Sequence, residues 1–106
     1  MDLLPHHWQT KWMLGKVYQT INEHAKDLQL FEEALHQEKA NSDVAREASI
    51  AAMDAGDVER ALTYSLEAIT RLPNSAGLMC NHAVNLMVAD KDQAAIEWIE
   101  KALEWI

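Results

Sequence analysis

The sequence predicts an all-α fold built from three helical hairpins in a row. Small residues recur at a spacing of 34 positions, and apolar residues between them follow the period of an α-helix. The 106 residues include only three glycines and two prolines. An all-β domain would need turn residues every 8 to 12 positions, so this scarcity disfavours one.

The 34-residue recurrence appears in three columns that share one register. The first holds Ala34, Ala68 and Ala102, the second Ala61 and Ala95, and the third Gly15, Ser49 and Ala83. Two helices of a hairpin approach closely only where neither carries a large side chain, so these columns predict the hairpin contacts. Leu14, Val17, Tyr18 and Ile21 form one apolar stripe at helical spacing. Larger residues beside the small columns are expected to fill the remaining volume, including Leu14, Tyr18, Phe31, Leu62, Ile96 and Ile99.

Six helices follow from the apolar period and the turn residues between the apolar stretches. They are predicted at residues 7–21, 24–38, 43–54, 58–71, 76–89 and 92–105. Asn22 lies where the first helix should end, and Gly56 where the third should end. Capping residues precede the third, fourth and fifth helices, at Asn41, Asp57 and Ser75 respectively. Asp90, followed by Gln93, predicts a capping box for the last helix.

These residues resemble the tetratricopeptide repeat. The first hairpin carries Leu14-Gly15-x-x-Tyr18, Phe31 and Ala34. The later ones carry Gly56-Asp57, Ala61, Ala68 and Pro73, then Ala83, Leu86, Ala95, Ile99 and Ala102. The resemblance implies a right-handed α-α superhelix, with residues 1–106 as one domain and repeats at about 8–41, 42–75 and 76–106. Two positions depart from the family pattern: Lys11 replaces its tryptophan, and Asp27 stands in a column of small residues.

The resemblance also implies a concave groove lined by the first helix of each hairpin. Its residues here are Trp12, Lys16, Gln19, Arg46, Ile50, Met53, Cys80, Val84 and Met87. This surface is rich in apolar and flexible side chains, so an amphipathic helix or an extended apolar segment is the expected ligand. Some relatives clamp a C-terminal carboxylate at groove positions held here by Trp12, Lys16, Glu47, Gly77 and Asn81. Glu47 would repel a carboxylate, so no such clamp is expected.

The two ends of the chain leave alternatives open. Trp8 and Trp12 share one helix face, where they either anchor a ligand or cover the first hairpin. The last helix carries five residues suited to self-association, Trp98, Ile99, Leu103, Trp105 and Ile106. A repeat array needs a polar cap at its end, and none follows. Either the chain is part of a longer array or this end pairs with a second copy, most simply as a two-fold dimer.

Composition and residue spacing disfavour several other functions. The formal net charge of −8 provides no basic stripe for nucleic acid or an anionic membrane surface. No apolar run reaches the roughly 20 residues that span a bilayer. The five histidines lack metal-ligand spacing, and no nucleophile–base pair or phosphate loop suggests catalysis. Cys80, the single cysteine, is expected to be a small buried residue. The sequence thus predicts a non-catalytic, cytoplasmic protein-binding scaffold without metal or cofactor.

Overall fold

Six α-helices make up the computed structural model, which describes residues 8–105. In chain order they are α1 (Trp8–Thr20), α2 (His24–Gln37), α3 (Ser42–Asp54), α4 (Val58–Arg71), α5 (Ala76–Val88) and α6 (Asp92–Leu103). Each helix packs against the next one along the chain, so the fold is three antiparallel hairpins in sequence. The prediction of an all-helical repeat of six helices is confirmed, with each predicted boundary within two residues of the observed one.

Contacts between hairpins show that the helices form two layers. Lys16 on α1 pairs with Glu47 on α3, and Asn85 on α5 donates to the Ser49 hydroxyl on α3 at 2.9 Å. These contacts join the first helices α1, α3 and α5 on one side. In the other layer the Tyr64 hydroxyl of α4 donates to the Glu32 carboxylate of α2. One layer therefore consists of first helices and the other of second helices, as in a superhelix of stacked pairs.

The turn inside each hairpin uses the same backbone device. Asn22, Gly56 and Asp90 have φ values of 63°, 82° and 62°. These residues lie 34 positions apart, each just after the first helix of its hairpin. A residue with left-handed backbone angles at this position allows the N–H of the next residue to donate to a carbonyl near the end of the helix. Asp57 N–H, for example, donates to Ala52 O at 2.8 Å.

Helix starts confirm three of the four predicted caps. Asn41 Oδ1 accepts from Asp43 N at 2.7 Å, Asp57 Oδ1 from Arg60 N at 3.1 Å, and Ser75 Oγ from Leu78 N at 3.2 Å. The predicted capping box of Asp90 and Gln93 is wrong. Asp90 is the left-handed residue that closes α5, and the N-cap of α6 is Lys91, whose side chain makes no capping bond.

The small columns lie where the helices of each hairpin meet. Ala34, Ala68 and Ala102 are buried, and the Ser49 hydroxyl donates to Ala61 O at 3.0 Å across the second hairpin. At Gly15 a Cβ atom would lie only 3.0 Å from the Phe31 ring, so Phe31 fills the space that this glycine leaves. The close approach of α1 and α2 thus depends on the missing side chain of Gly15.

A buried polar cluster joins the second and third hairpins. Ser65 Oγ and His82 Nδ1 are 2.5 Å apart, and the His82 ring meets Trp98 edge-on with a centroid distance of 5.3 Å. Asn85 completes the cluster through its bond to Ser49. The sequence analysis did not predict this cluster, although Ser65 and His82 occupy repeat positions that are apolar in the first hairpin, at Phe31 and Leu14.

Burial lowers the pKa of the His82 imidazole from its usual value of 6.5. A depressed folded-state pKa means that the stability contributed by neutral His82 is present above about pH 6.5 and is lost as the pH falls below it. Between about pH 7 and pH 5 we expect the wild-type protein to lose on the order of 1 kcal/mol more unfolding free energy than His82→Gln. Urea titrations of both proteins would measure this, and parallel pH curves would contradict it.

The outermost apolar stripes are exposed, contrary to the core prediction. Leu14 on α1 and Ile96 and Ile99 on α6 lie on the surface, and so do Val17 on α1 and Ile21, which follows this helix. In the middle hairpin Ala48 and Ser65, the equivalents of Leu14 and Ile99, are buried because a hairpin packs on each side of it. Nothing in residues 8–105 covers the corresponding face of α1 or of α6.

Candidate binding groove

The nine predicted groove residues come from α1, α3 and α5 in three matching sets. Repeat equivalence aligns Trp12, Arg46 and Cys80; then Lys16, Ile50 and Val84; then Gln19, Met53 and Met87. Each set takes one residue from each first helix, and contacts between α1 and α3 and between α3 and α5 keep these helices adjacent. The nine side chains therefore belong to one layer, and we call this surface the groove.

The α5 side of the groove is apolar and open. Val84, Met87 and the neighbouring Val88 are 55%, 53% and 54% exposed. Ile50 and Met53 on α3 are half-buried beside them. Adjacent apolar side chains of this exposure on one surface are a common mark of a protein-binding site. Methionine adds adaptability, because its unbranched side chain fits ligands of different shape.

The α1 side of the groove carries a charged group. The buried Glu47 carboxylate lies 3.1 Å from Lys16 Nζ and 3.5 Å from Arg46 Nη2. Lys16 Nζ also lies 5.3 Å from the centre of the Trp12 ring. Since Glu47 already engages both cations, neither is left to bind a ligand carboxylate by itself. The arrangement agrees with the expectation that this groove does not clamp a C-terminal carboxylate.

Trp8 and Trp12 pack on each other and on the first hairpin. Their rings meet edge-on at a centroid distance of 6.3 Å, and both are partly buried against the core. Trp12 also lines a shallow depression of about 380 Å³ on α1, together with Lys16, Met13, Val17 and Thr20. Trp12 therefore packs against the first hairpin, as one of the two alternatives predicts, and also lines an open depression on α1.

Cys80 corrects one prediction. It was expected to be buried, but its side chain is exposed on the open α5 side of the groove. Asn81 next to it has a buried amide nitrogen, and this nitrogen has no hydrogen-bond partner among residues 8–105.

The residues predicted for self-association separate into two groups. Trp98 points inward, where it packs on both core clusters and on His82. Lys101 Nζ lies 4.7 Å from the centre of its ring. Ile99, Leu103 and Trp105 are exposed at 40%, 63% and 51%. Ile106 lies outside the described residues. The structure therefore brings together only part of the predicted set on the open surface.

Residues 8–105 contain neither a cluster of metal ligands nor a membrane-spanning helix. No three His, Cys, Asp or Glu side chains converge in a way that could hold a metal ion. None of the six helices combines the length and apolar character needed to cross a membrane.

Solved structures of MamA share this architecture. One MamA crystal structure superposes with a TM-score of 0.86 at 15% identity, covering 92% of this chain and 57% of that one. MamA residues 41 to the end, from Desulfovibrio magneticus RS-1, superposes with a TM-score of 0.88 at 17% identity, covering 95% of this chain and 57% of that one. No family model and no curated protein matches the sequence. The chain thus has the tetratricopeptide-repeat fold of MamA and spans little more than half the length of these structures.

Proposed function

We propose that this chain, with its tetratricopeptide-repeat fold, is a non-catalytic scaffold that binds an apolar helix or extended segment of another protein in the groove. The observation that carries the proposal is the open apolar side of the groove, where Val84, Met87 and Val88 are each more than half exposed. Burying such side chains contributes about 25 cal/mol per Å² of apolar surface removed from water.

The groove also limits which ligand is suitable. Its α5 side offers apolar contacts, whereas its α1 side offers the Trp12 ring beside the ion pairs of Glu47. A segment with an apolar face and an uncharged polar face matches both sides, because it brings no charge into the partly buried ion group. In an amphipathic helix, residues three to four positions apart share a face, so one side of the helix is apolar and the other polar.

A charge placed in the apolar side of the groove tests the proposal. Peptides selected from a display library for binding to the wild-type chain would be titrated by calorimetry against Met87→Glu. We expect at least a tenfold loss of affinity, about 1.4 kcal/mol, because a carboxylate would have to lose water against an apolar ligand.

The matched control is Leu66→Glu, which changes an apolar residue of similar exposure, 46%, on the second-helix layer. This variant should keep the wild-type affinity, and circular dichroism should show equal helicity in all three proteins. Selected peptides that bind Met87→Glu as tightly as the wild type would place the binding site outside the groove.

A second candidate function is self-association through the last helix. It is favoured by the exposed apolar residues Ile99, Leu103 and Trp105, which lie together at one end of the helix stack. We also propose a single domain for residues 1–106 and a cytoplasmic location, which fits a chain whose single cysteine needs no oxidising compartment.

A further inference from the structure

Two apolar faces lie at opposite ends of the helix stack. The C-face consists of Ile96, Ile99 and Leu103 on α6, which are 48%, 40% and 63% exposed. The N-face consists of Met13, Leu14 and Val17 on α1, which are 64%, 46% and 56% exposed.

The same repeat positions are buried inside the chain. The first-hairpin equivalents of the C-face are Leu28, Phe31 and Leu35, all at most 8% exposed. The equivalents of Leu14 and Val17 are Ala48 and Ala51 in the second hairpin, and His82 and Asn85 in the third, all at most 5% exposed. Each face therefore corresponds to one half of the contact that joins neighbouring hairpins.

Contacts between neighbouring hairpins show which residues would meet if the C-face of one copy met the N-face of another. Each internal contact can be moved along the array by replacing both residues with their equivalents in later repeats. One repeat further on, the Ser65–His82 contact becomes Ile99 of one copy against Leu14 of the next copy. Two repeats further on, the Lys16–Glu47 contact becomes Val84 of one copy against Met13 of the next copy. Both polar or charged contacts thus become apolar ones, and neither leaves an unpaired polar group.

A third contact keeps its charges after the same shift. Arg60 Nη1 lies 3.2 Å from Glu32 Oε2 across the first and second hairpins. The equivalent residues at the ends are Glu100 and Lys26 of the next copy, again an acid facing a base. Both side chains are exposed, so this ion pair would contribute more to the relative orientation of the two copies than to their affinity.

Helix charges distinguish this head-to-tail pairing from a two-fold dimer. Helix α1 carries no acid, and its two lysines form ion pairs within the chain, Lys11 with Glu33 and Lys16 with Glu47. Helix α6 carries three acids and one lysine, a formal charge of −2. Two-fold pairing of α6 with α6 would bring the acids of two copies together, whereas pairing of α6 with α1 brings no second acidic helix against them.

We infer that copies of this chain associate head to tail, with the C-face of one on the N-face of the next, in the register of the internal hairpin contacts. The inference rests on the second candidate function and assigns it a geometry other than a two-fold dimer. Because such a contact does not close on itself, it adds copies in a row and forms open chains whose length grows with concentration.

Mixing two variants tests this geometry. Leu103→Glu damages only the C-face, and Val17→Glu damages only the N-face. In sedimentation velocity we expect the wild-type chain to form oligomers of increasing size and each variant alone to remain monomeric. An equimolar mixture should form a dimer with one copy of each variant, since the mixture contains one intact face of each kind.

Leu66→Glu serves as the control for an added charge, and it should associate like the wild type. Circular dichroism should confirm that all variants keep their helices. A monomeric wild type at millimolar concentration would overturn the inference. So would Val17→Glu homodimers, which indicate two-fold pairing through α6, or a mixture that stays monomeric. Met87→Glu should still associate, so failure of the groove proposal would be distinguishable from failure of this one.

Discussion

Phe31→Ala is expected to destabilise the protein by about 3 to 5 kcal/mol, the cost of removing a fully buried aromatic side chain. Phe31 is the largest completely buried side chain in the described part of the chain. Its ring fills the space that Gly15 leaves between α1 and α2, with ring atoms 3.0 to 3.2 Å from where a Cβ of residue 15 would lie. A loss of this size is a large share of the 5 to 15 kcal/mol that stabilises typical domains.

Ile99→Ala is the matched control, because Ile99 occupies the same repeat position in the last hairpin. It is 40% exposed, since no further hairpin packs on it within residues 8–105. We expect a loss below about 1 kcal/mol for this variant. Urea unfolding followed by circular dichroism, at a protein concentration low enough to keep both variants monomeric, measures both values. Equal losses would contradict the assignment of Phe31 to the interior and Ile99 to an open face.

Asp27→Asn is expected to stabilise the protein by about 1 to 3 kcal/mol near pH 7, because it removes a buried charge without changing the size of the side chain. Asp27 has no exposed surface, and its Oδ1 has no partner among the described residues. Its Oδ2 lies 3.4 Å from His24 Nδ1. The equivalent residues of the other hairpins are Ala61 and Ala95, so this repeat position does not require a charge.

The pH dependence of this effect has a defined sign. Burial raises the pKa of the Asp27 carboxyl above 3.8, although its bond to His24 acts in the opposite direction. A raised folded-state pKa means that the native state holds the proton more tightly, so wild-type stability falls as the pH rises through that pKa. The gain from Asp27→Asn should therefore be full at neutral pH and disappear below about pH 4.

Glu97→Gln provides the control, because Glu97 is an exposed acid in the middle of α6, far from Asp27 in the chain. Its unfolding free energy should differ from wild type by less than about 0.5 kcal/mol. Urea titrations of the three proteins at several pH values give the comparison. A destabilised Asp27→Asn variant at pH 7 would show that the carboxylate has a stabilising partner.

The 34-residue columns predicted most of the fold because they report local geometry. Small residues at Ala34, Ala68 and Ala102 mark close helix contacts, whichever residues lie around them. The helix boundaries followed from caps such as Asn41 and Ser75, which bond to backbone groups two or three residues away. Asp90 shows the limit of such local patterns, because its left-handed conformation makes it the end of α5 and not the cap of α6.

Burial could not be predicted at the ends of the array. The apolar period of α1 and α6 is the same whether or not another hairpin covers it, so Leu14 and Ile99 looked like core residues. The polar cluster was missed for a different reason. Ser65 and His82 occupy positions that are apolar elsewhere in the array, and only comparison of whole columns reveals two polar residues facing each other.

The central claim is that the groove binds an apolar segment. Mapping the peptide-binding site by chemical-shift changes of the labelled chain tests this claim most directly. The labelled chain would be titrated with a peptide selected for binding, and its amide and tryptophan indole signals followed. We expect the largest changes at the Trp12 indole and at Ile50 and Met87, with the Trp105 indole on the last turn and the amides of α4 unchanged. Changes confined to α4 or to the Trp105 end of the stack would contradict the assignment of the groove as the binding site.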